Sequence, residues 1–279
     1  MIKMGNVKLI TFDLDDTLFN RKKQITPATL EALNEAANMG IELIPATGRF
    51  WDAVPENVKS LKFIHYAITI NGAEIFDVRE NKSLAKFEIP LERAELITRV
   101  LDEQDCIYDC VIDGFGWMQR EHYERRADFA IGAWQMKALT DFRHPVEDLH
   151  ETLREKNHGI QKIQPFFRNY ELRAKLLEAL PVVFPNNIFS SSVPNNIEIN
   201  DIHANKGDAL RFIADYLNIS MSATMSFGDG LNDTYMLKAA GIGVAMGNAC
   251  DELKAAADYV TSDCDDDGIA EGIKKFCLE

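Results

Sequence analysis

The stretch Val7-Lys8-Leu9-Ile10-Thr11-Phe12 runs straight into Asp13-Leu14-Asp15-Asp16-Thr17. A short run with this apolar, β-branched content reads as a strand buried on both faces, which requires a sheet covered by helices on each side. Such a strand normally ends in small turn residues, because a carboxylate beside a core is costly unless it is paired or bound to a metal. Here three aspartates crowd the end. Like charges so close raise one another's pKa unless a cation neutralises them. Taken alone, the segment is either a solvated acidic turn or a cation-dependent site.

The pattern that follows extends the strand into a fold class. Residues 1–72 read as β-α-β-α-β. After the strand at 7–12, Thr26-Pro27 opens a helix over 29–39, with Pro27 at its first position and Gly40 closing it. A strand at 41–46 ends at Thr47-Gly48-Arg49. A further helical stretch precedes a strand at 66–70, which ends at Asn71-Gly72. Alternation at this spacing implies right-handed crossovers and a parallel sheet. From about Asn205 the alternation returns: a helix at 206–216, a strand at 223–227 ending in Gly228-Asp229-Gly230, a helix at 232–239, a strand at 243–246, a helix at 251–256 and a strand at 259–261.

The middle differs. Segments 73–78 and 84–89 flank a hairpin signal, Arg79-Glu80-Asn81-Lys82. Then come a helix at 91–104, strands near 108–113 and 117–120, and helical material at 122–139. A helix at 146–156, a strand at 160–166, a helix at 170–180 and a strand near 182–190 complete it. This mixture indicates an α+β unit with a largely antiparallel sheet. The fold class expected is α/β: a doubly wound, Rossmann-like parallel sheet core with an inserted α+β cap domain. The core spans 1–72 and 194–279, the cap 73–193. Connections near Gly72-Ala73 and Val193-Pro194-Asn195 read as hinges.

Bulk properties bound the partners. At 279 residues, two domains or one with a large insertion is the natural size class. A formal charge of −14 leaves no basic patch for nucleic acid or an anionic membrane. A small phosphorylated substrate remains compatible if a divalent cation sits between it and the carboxylates. No apolar stretch approaches the roughly 18 to 20 residues that span a bilayer, and the first six residues are too short for a secretion signal. The five cysteines, an odd and scattered set, do not make a disulfide framework. The expectation is a soluble, cytoplasmic protein with no obligate protein partner.

In an open parallel sheet, ligands bind outside the carboxyl ends of the strands. Asp13 and Asp15 lie at one such end, Thr47-Gly48 at a second, Asn71-Gly72 at a third, and Asp229 with Asn232 and Asp233 at a fourth. Lys206 opens the helix before that last strand. Each part has an ordinary alternative: a strand end, a solvated lysine, a tight turn. Their joint order along the chain is what those alternatives leave unexplained.

Asp13-Leu14-Asp15-Asp16-Thr17, Thr47-Gly48-Arg49, Lys206 and Gly228-Asp229-Gly230-Leu231-Asn232-Asp233 resemble the four motifs of the haloacid dehalogenase superfamily. Asn71-Gly72-Ala73, the spacing from Ile197-Glu198-Ile199 to Asn205-Lys206-Gly207, and the position of the insert resemble its Cof-type phosphatases, subclass IIB. The resemblance covers essentially the whole chain. It implies Asp13 as nucleophile, Asp15 as acid and base, and a Mg2+ held by Asp13, the Asp15 carbonyl and Asp229. It implies phosphate contacts from Leu14, Thr47, Gly48, Lys206 and Asn232, with Thr47 and Lys206 counted as catalytic. It implies, too, that Asn232 and Asp233 orient Lys206 or the waters of the metal. For Arg49 a substrate contact and a helix-start salt bridge both stay open.

The implied activity is a Mg2+-dependent phosphatase of small phosphorylated metabolites (sugar, nucleotide or cofactor phosphates) working through an aspartyl-phosphate. A sugar phosphomutase would use the same intermediate. A phospho-ligand sensor would need no nucleophile. In the cap, Trp117, Tyr123 and Trp134 either stack on a planar substrate or pack the cap's own core.

Overall fold

The computed structural model of the protein describes residues 7–278. The segment 1–6, read above as too short for a secretion signal, lies outside the described residues. The chain forms two compact units. One runs to Ala85 and resumes at Asn205; the other is Lys86–Ala204. In chain order the first unit opens with strands β1 (Leu9–Phe12), β2 (Glu42–Pro45), β3 (Tyr66–Thr69), β4 (Glu74–Asp77) and all but the last residue of β5 (Lys82–Lys86). The second holds β6 (Cys106–Ile112), β7 (Phe115–Gln119), β8 (Arg143–Val146), β9 (Lys162–Phe167), β10 (Asn187–Ser190) and β11 (Glu198–Asp201). The first unit then closes with β12 (Thr224–Gly228), β13 (Ile242–Ala245) and β14 (Tyr259–Val260).

The central sheet of the first unit has the order β14-β13-β12-β1-β2, every neighbouring pair parallel. Its two faces are both covered. Ile10, Phe12, Phe227 and Val244 pack with Leu33 of the Pro27–Asn38 helix and Ile273 of the Gly268–Ile273 helix. Gly243 points the other way, and a Cβ there would lie 2.5 Å from the Leu237 carbonyl oxygen of the Thr234–Ala239 helix. This is a doubly wound α/β sheet.

The third strand departs from the sequence reading. β3 meets the end of β2 through one isolated parallel bridge, Ala46 to Ile68, and belongs to a separate sheet, β3-β4-β5. The cause is local. Glu42 and Ala46 donate their amides to Lys8 and Phe12 on the β1 side, whereas the Thr47 amide donates to Ile68 on the β3 side. Amide direction alternates along a strand, so the position that should donate toward β3 next to Thr47 is residue 45. It is a proline, and proline has no amide to give. The ladder stops there.

The unit limits also fall elsewhere than 72/73 and 193/194. Residues 73–85 go with the sheet unit because β4 pairs antiparallel with β3 from Tyr66–Asp77 to Thr69–Glu74. Residues 194–204 go with the second unit because β11 pairs with β10 and β9. Asn195 is fully buried there, donating to the Phe129 carbonyl at 2.8 Å and accepting from Gln135 at 3.0 Å. Both segments read as hinges are therefore interior to a unit.

The second unit is an α+β cap: a six-stranded sheet of order β10-β11-β9-β6-β7-β8, antiparallel apart from the parallel pair β7–β8. Helices Leu91–Asp102, Leu149–Lys156 and Tyr170–Val183 supply Ile97, Leu153 and Leu180 to its core against Tyr108 and Ile163. The sequence reading began a helix at residue 146 and missed β8. Arg143 is held in that strand by a partner far along the chain, its Nε 2.7 Å from Asp109 Oδ2, with the two side chains 9% and 0% exposed. Removing one member of a buried pair strands the other charge. Arg143→Met is expected to lose about 3–5 kcal/mol of stability, and a double replacement with Asp109→Leu to recover most of it. Thermal or denaturant melts check this; a single variant as stable as the parent would show the pair to be energetically idle.

Candidate active site

The end of β1 stays in the sheet one residue longer than the strand, since the Asp13 amide donates to the Phe227 carbonyl at 3.0 Å. The chain then makes a π-type turn over Leu14–Leu18, with the Phe19 amide reaching back to the Leu14 carbonyl at 2.8 Å. Asp16 takes φ 61° inside it. Wide turns of this type recur where a backbone must redirect side chains at a site. The turn sends Asp13 inward to 8% exposure and leaves Asp15 and Asp16 partly exposed.

Lys206 is the first residue of the Lys206–Tyr216 helix, capped by Asn205, whose side chain accepts the Asp208 amide. It is wholly buried. Its Nζ lies 2.6 Å from Asp13 Oδ1 and 2.6 Å from Asp233 Oδ1. The other oxygen of Asp233 accepts the amides of Asp229 and Gly230, both at 3.0 Å. Asp233 therefore shapes the turn after β12 and anchors the ammonium. Gly228 is required by this closeness: a Cβ would come within 2.5 Å of the Asp233 side chain. Asp229 accepts a hydrogen bond from Thr17 Oγ1 at 2.7 Å.

The electrostatics follow from three acids and one base. Burial alone would lower the pKa of Lys206, but Asp13 and Asp233 more than reverse this and hold it protonated. Burial pushes the Asp13 carboxyl well above the ordinary range, against the pull of Lys206 and with the help of Asp233 and Asp229. Asp229 is pushed up to about 7, first by burial and then by Asp233. The cluster is short of positive charge.

A second group forms at the ends of β2 and β3. The Asn71 amide donates to the Thr47 carbonyl, and the Ile70 amide to that of Arg49. Thr47 is 2% exposed, and its hydroxyl oxygen accepts the Arg49 amide at 3.2 Å. Asn232 Nδ2 donates to Asn71 Oδ1 at 3.3 Å. Ile70, Asn71 and Gly72 have φ of 53°, 59° and 100°, three successive left-handed residues. For a β-branched side chain such a conformation costs about 1–3 kcal/mol and persists only where surrounding contacts impose it. Gly72 leaves no room for a side chain, since a Cβ would sit 2.4 Å from the Asn205 carbonyl oxygen. The turn thus abuts the start of the Lys206 helix.

Arg49 grips Asp15 with two nitrogens, Nε at 2.9 Å and Nη2 at 3.0 Å, and Lys23 adds a contact at 3.3 Å. Burial would raise the Asp15 carboxyl, but Arg49 and Lys23 outweigh it and hold the group below its ordinary range. Of the two uses left open for Arg49, the structure shows a salt bridge, with Asp15 as its partner.

The fold thus brings Asp13, Lys206, Asp229 and Asp233 into one contact network, and Thr47, Gly48 and Asn232 into another through Asn71. The cap aromatics divide. Trp117 and Tyr123 pack in the cap's own clusters, while Trp134 is 59% exposed.

A family model described as haloacid dehalogenase-like hydrolase matches residues 10–273. The chain belongs to that family. Within it the chain is a Cof-type, subclass IIB hydrolase. It is 32% identical over 275 residues to the Bacillus subtilis 5-amino-6-(5-phospho-D-ribitylamino)uracil phosphatase YcsE, covering 98% of this chain and 97% of that one. It is 29% identical to the Escherichia coli pyridoxal phosphate phosphatase YbhA, over 95% of this chain and 97% of that one. The subclass IIB sugar phosphatase BT4131 superposes with a TM-score of 0.79 at 28% identity, covering 97% and 99% of the two chains.

Three contacts in this haloacid dehalogenase-like site lay beyond the sequence reading. Thr17 on Asp229 was within a quoted motif but had no role, because its partner is 212 residues away. Asn248, which donates to the Asp16 carbonyl at 2.7 Å and accepts the Cys264 amide, carried no local signal. Asn71 did carry one: Asn-Gly at a strand end marks a left-handed turn, whereas the sequence assigns it a strand end and a share in the Asn71-Gly72-Ala73 resemblance, with no side-chain role.

Proposed function

We propose that this protein, a hydrolase of phosphoric monoesters, is a Mg2+-dependent phosphatase of small phosphorylated metabolites that works through an aspartyl-phosphate on Asp13. The observation that carries this reading is Lys206, buried and 2.6 Å from both Asp13 and Asp233 with Asp229 beside them. It fixes a carboxylate at a strand end among more negative charge than one ammonium balances.

The donor set supports the metal. Asp13, Asp229 and Asp233 present ligand atoms within 4.8 Å of one another, all of them carboxylate oxygens. A hard divalent ion suits oxygen-only donors, and a single ammonium, that of Lys206, stands among these three carboxylates. Asp13, Asp229 and the Asp15 carbonyl would hold Mg2+, which when bound offsets the repulsion between a phosphate dianion and Asp13.

The chain's own groups do the rest. An Asp13 oxygen forms a bond to phosphorus as the bond to the ester oxygen breaks, splitting one hard displacement into two easier ones. Lys206 and Thr47, with Leu14, Gly48 and Asn232, hold the equatorial oxygens, where transition-state charge sits. Asp15 gives the leaving alkoxide a proton and later takes one from the water that hydrolyses the acyl phosphate. Both Asp15 oxygens are engaged by Arg49 and Lys23 in the free site. Asp15 must therefore exchange a contact and take up a proton as it turns to the leaving oxygen.

The relatives named above act on different leaving groups, which supports a shared phosphoryl end. We assign choice of leaving group to the Lys86–Ala204 unit, which supplies none of the assigned groups. The five unpaired cysteines support a reducing, cytoplasmic setting.

The test is release of inorganic phosphate from p-nitrophenyl phosphate and from a panel of phosphorylated metabolites, with Mg2+ and with chelator. Mg2+ should also raise the melting temperature through its preference for the folded state, and Asp229→Ala should abolish that gain. Full activity in excess chelator, with no metal found by elemental analysis, would end the metal reading.

A further inference from the structure

We propose that Asn71 is a positioning residue for phosphoryl transfer, fixing Asn232 and the Thr47-Gly48 loop as one floor beneath the phosphoryl group. This rests on the function proposed above and adds a residue to which that reading gives no role.

Three observations converge. First, the backbone at Ile70-Asn71-Gly72 is left-handed at every residue, although Ile70 is β-branched and fully buried. A plain strand end has no need of this. A chain that must swing one side chain back over the neighbouring loop does. Second, the swing is locked on both sides. The Ile70 and Asn71 amides are tied to the Arg49 and Thr47 carbonyls, and Gly72 presses on the Asn205 carbonyl just before Lys206. Third, the Asn71 side chain ends on two groups already placed at the phosphoryl end. It accepts from Asn232 at 3.3 Å, and its Oδ1 lies 2.9 Å from where a Cβ of Gly48 would be. Gly48 is thus the residue that lets Asn71 lie across the loop.

One side chain therefore connects segments after β2 and after β12 that share no strand pairing. Without it, Asn232 and Thr47 are positioned independently, and a positioned group that loosens loses transition-state grip more than ground-state binding.

Glycine at this position separates the two possible roles, because it adopts a left-handed backbone freely and carries no side chain. Asn71→Gly is expected to fold and to melt within about 2 °C of the parent. Its kcat on p-nitrophenyl phosphate should fall by about 10–100-fold with a much smaller change in KM. Asn71→Asp keeps an acceptor for Asn232 and should recover at least half of that loss on a logarithmic scale, with a raised KM from the added charge. Asn232→Ala should also lower turnover, and the double variant should lose clearly less than the product of the two single fold-losses, because residues acting through one contact are not additive. Unchanged turnover in Asn71→Gly, no recovery in Asn71→Asp, or additive losses in the double variant would each overturn the assignment.

Calorimetric binding of orthovanadate in the presence of Mg2+ gives a readout independent of turnover. Asn71→Gly should weaken it about tenfold or more, the lower end of a supporting contact. A parent protein that binds vanadate but hydrolyses no ester defeats the phosphatase reading and leaves this arm to decide on Asn71. A parent that does neither defeats both.

Discussion

Asp13→Asn is expected to abolish turnover, by a factor on the order of 10^4 or more, while leaving the protein folded. The amide keeps the shape and still offers Lys206 an acceptor, but it cannot attack phosphorus. Its effect on stability should run the other way. Asp13 is one of three carboxylates facing a single ammonium, and burial already pushes it well above its usual range. Removing its charge relieves that excess, so the variant should melt no lower than the parent. Steady-state phosphate release and a thermal melt read the two effects. Under single-turnover conditions in oxygen-18 water, label should enter the Asp13 carboxylate of the parent enzyme. A folded variant that keeps more than about a tenth of its turnover would favour attack by a bound water instead.

Lys206→Met should damage both properties together. Methionine fills a similar volume, so packing is nearly conserved, but Asp13 and Asp233 lose their shared cation at full burial. Stranding buried carboxylates costs about 3–5 kcal/mol, which corresponds to a fall in melting temperature of about 10 °C for a chain of this size. Turnover should drop by about 10^3-fold with the loss of a fixed charge at the phosphoryl oxygens. Differential scanning calorimetry is the deciding measurement. A methionine variant that melts within 2 °C of the parent would mean Asp13 and Asp233 are not held by Lys206, and the charge argument for the site would fall with it.

The sequence showed the core better than the cap because the information is local in one and not in the other. The helix Lys206–Tyr216 was legible to the residue, since Asn205 caps it and the apolar positions recur on one face. β1, β2 and β12 end at the motifs as read. β8 was hidden because Arg-His-Pro-Val has no strand-like alternation; it becomes a strand through β7 and through Asp109, 34 residues upstream. The helix expected over 170–180 continues through Pro181 to Val183, for a proline near the last turn forfeits few hydrogen bonds. The separate sheet of β3 turns on which way one missing amide points, and that is fixed only once Glu42 and Ala46 have paired with β1. At the site, residue types and strand ends were readable. The pairings Thr17–Asp229 and Arg49–Asp15 were not, because nothing in either segment names its partner.

The split of the sheet unit into two stretches of chain has a consequence for synthesis. β1 finds β2 early, but its other edge waits for β12, and Thr11 meets Ser226 only 215 residues later. Until then an apolar strand with one open edge stands exposed on the nascent chain, the arrangement most prone to pair with its like. Asp13, Asp15 and Asp16 close that strand with three negative charges. Two such edges laid together in parallel, the arrangement β1 makes with β2 and β12, would bring those charges together as well. Charges at the end of a strand that pairs late are expected to work as gatekeepers, disfavouring its association with a like strand until β12 is made.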